Sequence, residues 1–151
     1  MMPHDDEPTT LVVVRTFDAS AAELFEAWTE SSLLTQWLAP GALRVTHASA
    51  DARPGGEYRI VAVDPLGTEH VTTGEYLEVV PGSRLVQTWV YHGHPTIERY
   101  FTRLTVEFRE TSADSTELTI RQELLLTPMD REGNRYGWRL CLDKLEGLLR
   151  R

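Results

Sequence analysis

Residues 127–149 read TPMDREGNRYGWRLCLDKLEGLL. Thr127-Pro128-Met129 leads into a long helix, expected over about residues 130–150. Its apolar positions are Trp138, Cys141, Leu142, Leu145, Leu148 and Leu149. The steps between them are 3, 1, 3, 3 and 1, so they form one stripe of an α-helix. Such a stripe needs a partner surface, and the preceding eighty or so residues supply one. There the pattern changes to period two. Strands are expected at 43–50, 57–63, 71–80, 84–91, 99–110 and 117–124. Turn signals separate them: Arg53-Pro54-Gly55-Gly56, Asp64-Pro65-Leu66-Gly67, Pro81-Gly82, His92-Gly93-His94-Pro95 and Thr111 to Ser115. In residues 99–110, Leu104, Val106 and Phe108 alternate with Arg103, Thr105 and Glu107, the mark of a half-buried antiparallel strand.

Upstream, Thr10 to Phe17 is β-branched and apolar, a first strand. Ser20 then stands three residues before Glu23, the spacing of a capping box. The helix it opens carries Leu24, Phe25, Ala27 and Trp28. Ser31 or Ser32 restarts a second short helix through Leu33, Leu34, Trp37 and Leu38, which Pro40-Gly41 ends. The order is therefore β-α-α, six further strands, then α. Short turns between strands imply an antiparallel sheet, and one long helix over one face makes the class α+β.

Composition bounds the function. The chain has 151 residues, 41% hydrophobic and 25% charged, with 15 basic against 23 acidic side chains and a formal net charge of −8. That balance argues against nucleic acid as a partner and against a polybasic membrane anchor. Its single cysteine, Cys141, excludes an internal disulfide framework and fits a cytoplasmic location. No apolar run approaches the ~20 residues of a membrane span. Met1 to Glu7 is polar and acidic, unlike a signal peptide. Residues 1–9 are expected to form a disordered lead-in, and residues 10–151 one domain.

Several segments carry a family resemblance. Phe17-Asp18-Ala19 is followed by Leu24-Phe25-Glu26-Ala27-Trp28-Thr29 and Leu34-Thr35-Gln36-Trp37. Arg53-Pro54-Gly55-Gly56-Glu57-Tyr58-Arg59 follows, then Gly74-Glu75-Tyr76-Leu77-Glu78-Val79-Val80-Pro81 and Arg84-Leu85-Val86-Gln87-Thr88-Trp89. Gly137-Trp138 and Leu142-Asp143-Lys144-Leu145 complete the set. In this order they resemble the AHSA-like family, named for an activator of a heat-shock ATPase, within the START or birch-pollen-allergen-like (SRPBCC) superfamily. The resemblance spans about residues 10–150. It implies a helix-grip fold: a curved sheet wrapped around the C-terminal helix with an internal cavity. It also implies a small hydrophobic or amphipathic molecule, or a lipid, as partner, and no cofactor. The alternatives it leaves are a polyketide cyclase- or dehydratase-like enzyme and a co-chaperone-like interaction module. Fold alone does not choose among them.

Large aromatics give such a cavity its shape and offer faces for stacking. The expected ligand-binding residues are Trp28 and Trp37 on the short helices and Tyr58, Tyr76, Gln87 and Trp89 on the strands. Met129, Trp138 and Cys141 join them at the start of the last helix. Core packing is the competing reading for each. If Trp89 faces the helix, then Leu85, Gln87 and Tyr91 do too, and a buried Gln87 needs polar partners. The opposite phase, with Val86, Thr88 and Val90 inward, stays equally open.

Other signals are weaker. His92, His94 and His70 suggest a metal site, but Gly93 and Pro95 make a hairpin loop where histidine is ordinary; no metal is expected. Cys141 lies on an apolar stripe and reads as an inert thiol. Glu57, Glu75, Glu78, Glu98 and Glu107 read as a solvated face, with Arg59, Arg99, Arg103 and Arg121 available to pair with them. An enzyme in this cavity would need groups such as His70, Glu98 or Arg99 to project inward, and no catalytic residue is assigned. Nucleotide-binding, zincin and nucleophile-elbow motifs are missing. Sheet edges need cover, so a homodimer is expected.

Overall fold

The computed structural model describes residues 8–150. They form seven strands and three helices: β1 (Leu11–Phe17), α1 (Ala21–Thr29), α2 (Ser31–Trp37), β2 (Arg44–Ala50), β3 (Glu57–Val63), β4 (Glu69–Val80), β5 (Arg84–Tyr91), β6 (Tyr100–Ser112), β7 (Ser115–Glu123) and α3 (Pro128–Leu149). The strands make one antiparallel sheet in the order β1-β7-β6-β5-β4-β3-β2. This is the α+β helix-grip arrangement. The lead-in expected over residues 1–9 falls, for residues 1–7, outside the described residues. Pro8 and Thr9 form a turn, and the Thr9 carbonyl accepts the Leu125 N–H at 3.0 Å.

Local chemistry accounts for the element ends. Ser20 Oγ accepts the Glu23 N–H at 3.1 Å, and the Glu23 carboxylate accepts the Ser20 N–H at 3.4 Å, so the capping box is complete. Helix α2 has Glu30 at its N-cap with no side-chain cap hydrogen bond, and Ser31, its first residue, accepts the Ala50 N–H on Oγ at 3.2 Å. Helix α3 starts two residues before its expected start. Thr127 Oγ1 accepts the Asp130 N–H at 3.0 Å, and Pro128 follows in the first turn, where its missing N–H costs nothing.

Register shifts in β2/β3, β4/β5 and β6/β7 interrupt the ladders, and such bulges curve a sheet. The concave side faces α3. Trp138, Cys141, Leu142 and Leu145 of α3 are buried. Polar ties hold the helix in place at several levels. Arg15 on β1 pairs with Asp143 at 2.8 Å, Arg135 Nη1 donates to the Val12 carbonyl at 3.0 Å, and Lys144 Nζ donates to the Leu43 carbonyl at 2.8 Å. On the other side of the sheet, Glu57, Glu75, Glu78 and Glu107 are all exposed, as is Glu98 in the β5–β6 connection. Arg84 bridges Glu78 and Glu107, while Arg103 and Arg121 both reach Glu123. No helix among the described residues is long and apolar enough to cross a membrane.

Candidate functional site

Strand β5 is the central strand, and its phase sets the wall facing α3. Leu85, Gln87, Trp89 and Tyr91 point to the concave side, where the Trp89 ring centroid lies 5.1 Å from that of Trp138. Val86 and Val90 are nevertheless buried on the opposite side. Both faces of β5 are covered, which is why alternation in sequence could not separate them.

Between this wall and the first half of α3 lies a cleft of about 370 Å³. Leu38, Leu43, Ile60, Ala62, Leu125 and Trp89 provide much of its apolar surface. Helix α3 offers Met129, Asp130, Gly133, Asn134, Gly137, Trp138 and Cys141. Gly133 and Gly137 are one turn apart on that face. A Cβ at Gly133 would meet nothing within 4 Å, and one at Gly137 would come no nearer than 3.9 Å to Pro40. Neither glycine puts a side chain into the cleft that it lines, and Gly133 is itself exposed at the surface.

Of the residues expected from sequence, Trp89, Met129, Trp138 and Cys141 line the cleft. Met129 is 84% exposed and marks its open end. Cys141 is buried, and burial pushes its thiol up to about 12. Trp28, Trp37, Tyr58, Tyr76 and Gln87 are buried elsewhere in the core. Four of these five continue the lining aromatics as a chain of ring contacts. Trp37 lies 4.8 Å from Trp28, Trp28 is stacked 5.7 Å from Trp138, and beyond Trp89 come Tyr58 at 5.9 Å and then Tyr76 at 5.4 Å. These rings support the cleft wall from behind. Burial raises the Tyr58 phenol, and raises that of Tyr76 to about 12, so both stay neutral. Gln87 Oε1 has no hydrogen-bond partner among the described residues.

The polar part of the wall was largely missed. Trp138 Nε1–H donates to Gln122 Oε1 at 2.9 Å, Gln122 Nε2–H donates to Thr102 Oγ1 at 3.0 Å, and the Thr102 hydroxyl donates to the Trp89 carbonyl at 2.8 Å. A signal for Gln122 existed: Leu118, Ile120 and Gln122 share one strand phase, so an inward Gln follows two inward aliphatics.

Two carboxylate-anchored groups sit at the same cleft. In the first, His70 lies 3.1 Å from Asp64 Oδ2 through Nε2 and 2.8 Å from the Tyr91 hydroxyl through Nδ1. The His70 contact, with help from the Thr68 and Leu66 N–H groups, holds the Asp64 carboxyl below its ordinary value. In the second, Tyr100 donates to Asp130 Oδ2 at 2.8 Å, and His94 Nε2 lies 3.5 Å from Asp130 Oδ1. Tyr91 and Tyr100 are direct cross-strand partners, so one register position joins the two groups. His92 is drawn off to Thr73 Oγ1 at 2.8 Å. The three histidines thus have separate partners, and no group of three metal-ligating side chains forms among the described residues. Glu98 and Arg99 are exposed; Arg99 borders a separate groove on the outer face with Phe101.

A family model described as activator of Hsp90 ATPase homolog 1-like protein matches residues 18–150. No curated protein matches the chain. Among solved structures, a protein from Nitrosomonas europaea is similar at 27% identity, covering 95% of this chain and 96% of that one, with a TM-score of 0.79. One from Chromobacterium violaceum is 27% identical over 93% of this chain and 97% of that one, with a TM-score of 0.81. An AHSA1 protein from Silicibacter pomeroyi, 22% identical over 93% and 96% of the two chains, shares the fold at a TM-score of 0.82.

Proposed function

The chain belongs to the activator of Hsp90 ATPase homolog 1-like family, a START/SRPBCC-type domain, and on that premise we propose that it binds one small hydrophobic or amphipathic molecule between α3 and the sheet. One observation carries this reading: the cleft of about 370 Å³, which two glycines on α3 line without a side chain. Ligand pockets run from roughly 300 to 1,000 Å³ and combine apolar walls with a few fixed polar groups. Trp89, Trp138, Met129 and Cys141 would touch the ligand. Trp28, Trp37, Tyr58 and Tyr76 would hold the wall rigid behind it.

The test is to fill the cleft. Gly133→Leu places a side chain in open space on a helix, where leucine is also the better helix former. The variant should fold as stably as the parent and lose binding of an apolar fluorescent dye. Native mass spectrometry of protein from its source organism should show a retained small molecule. Dye binding that survives Gly133→Leu, together with no retained molecule, overturns the reading.

A second reading, an acid–base enzyme of the cyclase or dehydratase kind, is favoured by the Asp64–His70–Tyr91 chain, since a carboxylate that orients an imidazole can assist proton transfer at its partner. It predicts conversion of the bound molecule on incubation, read as loss of water for a dehydratase or as an isomer of equal mass and altered chromatographic retention for a cyclase, which Tyr91→Phe abolishes. A bound molecule recovered unchanged counts against it.

A further inference from the structure

Hydrogen-bond direction and charge at the cleft define the kind of molecule it accepts. Among the described residues no lysine or arginine lines it, and Asp130 is the one lining side chain that is a carboxylate. A second carboxylate, Asp64, stands directly behind His70. A carboxylate or phosphate head group would find no lysine or arginine there, and both lining imidazoles, His70 and His94, already face carboxylates, so burying it is costly.

The wall's donors are mostly spent. Tyr100 gives its proton to Asp130, Thr102 to the Trp89 carbonyl, and Trp138 to Gln122. Asn134 Nδ2 donates to the Asp130 carbonyl at 2.8 Å. Asp64 accepts only, so in its neutral form His70 carries the proton on Nε2, and Nδ1 then accepts the Tyr91 hydroxyl proton. His94 Nδ1 accepts the Thr96 N–H at 3.2 Å, which leaves the His94 proton on Nε2, facing Asp130.

Acceptors remain. They are the Tyr91 oxygen, Asn134 Oδ1 and Asp130 Oδ1, whose 3.5 Å contact with His94 is too long for a strong hydrogen bond. Against them stand the second N–H of Gln122, the second N–H of Asn134 and the Thr72 hydroxyl. The faces of Trp89, Tyr91, Tyr100 and Trp138 border the same space, and aromatic faces attract cations. The formal net charge of −8 draws cations toward the molecule as a whole.

We propose that the cleft selects an apolar ring or chain carrying a protonated amine, with the ammonium between Asp130 and the tyrosine pair Tyr91 and Tyr100, and discriminates against carboxylates of the same shape. This assignment rests on the ligand-binding reading above and narrows it to a chemical class.

Three probes with one ring separate the two ideas: naphthylethylamine, naphthylethanol and naphthylacetate, titrated by calorimetry into the full-length protein near neutral pH. The amine should bind about tenfold or more tightly than the acetate, with the alcohol between them. Asp130→Asn keeps the acceptor for Tyr100 but removes the charge. It should weaken the amine by about fivefold or more and change the alcohol by less than about twofold. If the alcohol binds but the acetate equals or exceeds the amine, or if Asp130→Asn leaves the amine unaffected, the charge assignment is wrong and ligand binding stands. If all three probes fail to bind, both readings fall.

Discussion

Single atoms decide several features of the wall. Gly74 faces Tyr58 across the β3/β4 ladder, and a Cβ there would stand 2.1 Å from the Thr88 carbonyl oxygen and 2.6 Å from the Tyr58 ring. The ring crosses the gap that the missing side chain leaves and donates its hydroxyl proton to the Thr88 carbonyl. Gly74→Ala should therefore cost about 1–3 kcal/mol or more in urea unfolding, because a backbone oxygen has nowhere to retreat. Asp64 makes a pH prediction. Its carboxyl is lower in the folded state than in the unfolded chain, so its ionised form favours folding. That contribution is complete above the ordinary carboxylate value of ~3.9 and disappears as pH falls through the folded value. Asp64→Asn should lower stability at neutral pH and flatten the loss of stability below about pH 4, read by tryptophan fluorescence in urea. Burial makes Cys141 the opposite case: with its thiol pushed up to about 12, the native protein should resist thiol reagents at pH 8 and react on unfolding. Fast labelling of the native state would refute that.

Whole elements show where sequence patterns were sufficient. The α1 capping box was legible because both partners lie within four residues of each other. Ser20→Ala should cost about 1 kcal/mol by chemical denaturation. The apolar stripe of α3 was equally legible, and its Trp138, Cys141, Leu142 and Leu145 are buried. Its glycines were not. Nothing in the spacing of Gly133 and Gly137 says that the space beside them stays empty, because that depends on where β3 and the α2–β2 connection stand opposite. Likewise the phase of β5 was undecided, since Val86 and Val90 are buried as well as Leu85 and Gln87.

At the scale of the molecule, the sheet joins distant parts of the chain. Leu11 on β1 pairs with Gln122 on β7, and α3 is tied to β1 through Arg15 and Asp143. Removing residues 127–151 should expose the concave face carrying Leu104, Leu118 and Ile120, all fully buried in the intact fold. The shortened chain should aggregate or bind apolar dye strongly; a monomeric, dye-silent product would show that the sheet does not depend on α3. By itself the sequence determined the elements, their order and the amphipathic helix, because periodicity, caps and turns are properties of neighbouring residues. Tertiary structure alone decided which polar groups meet at the cleft. Asp64, His70 and Tyr91 come from β4, β5 and the turn before β4, while Asp130 reaches Tyr100 from α3. Hydrogen bonds of a few ångströms between residues 6, 21 and 30 positions apart depend on sheet curvature and register. Neither is written in the spacing of any one segment.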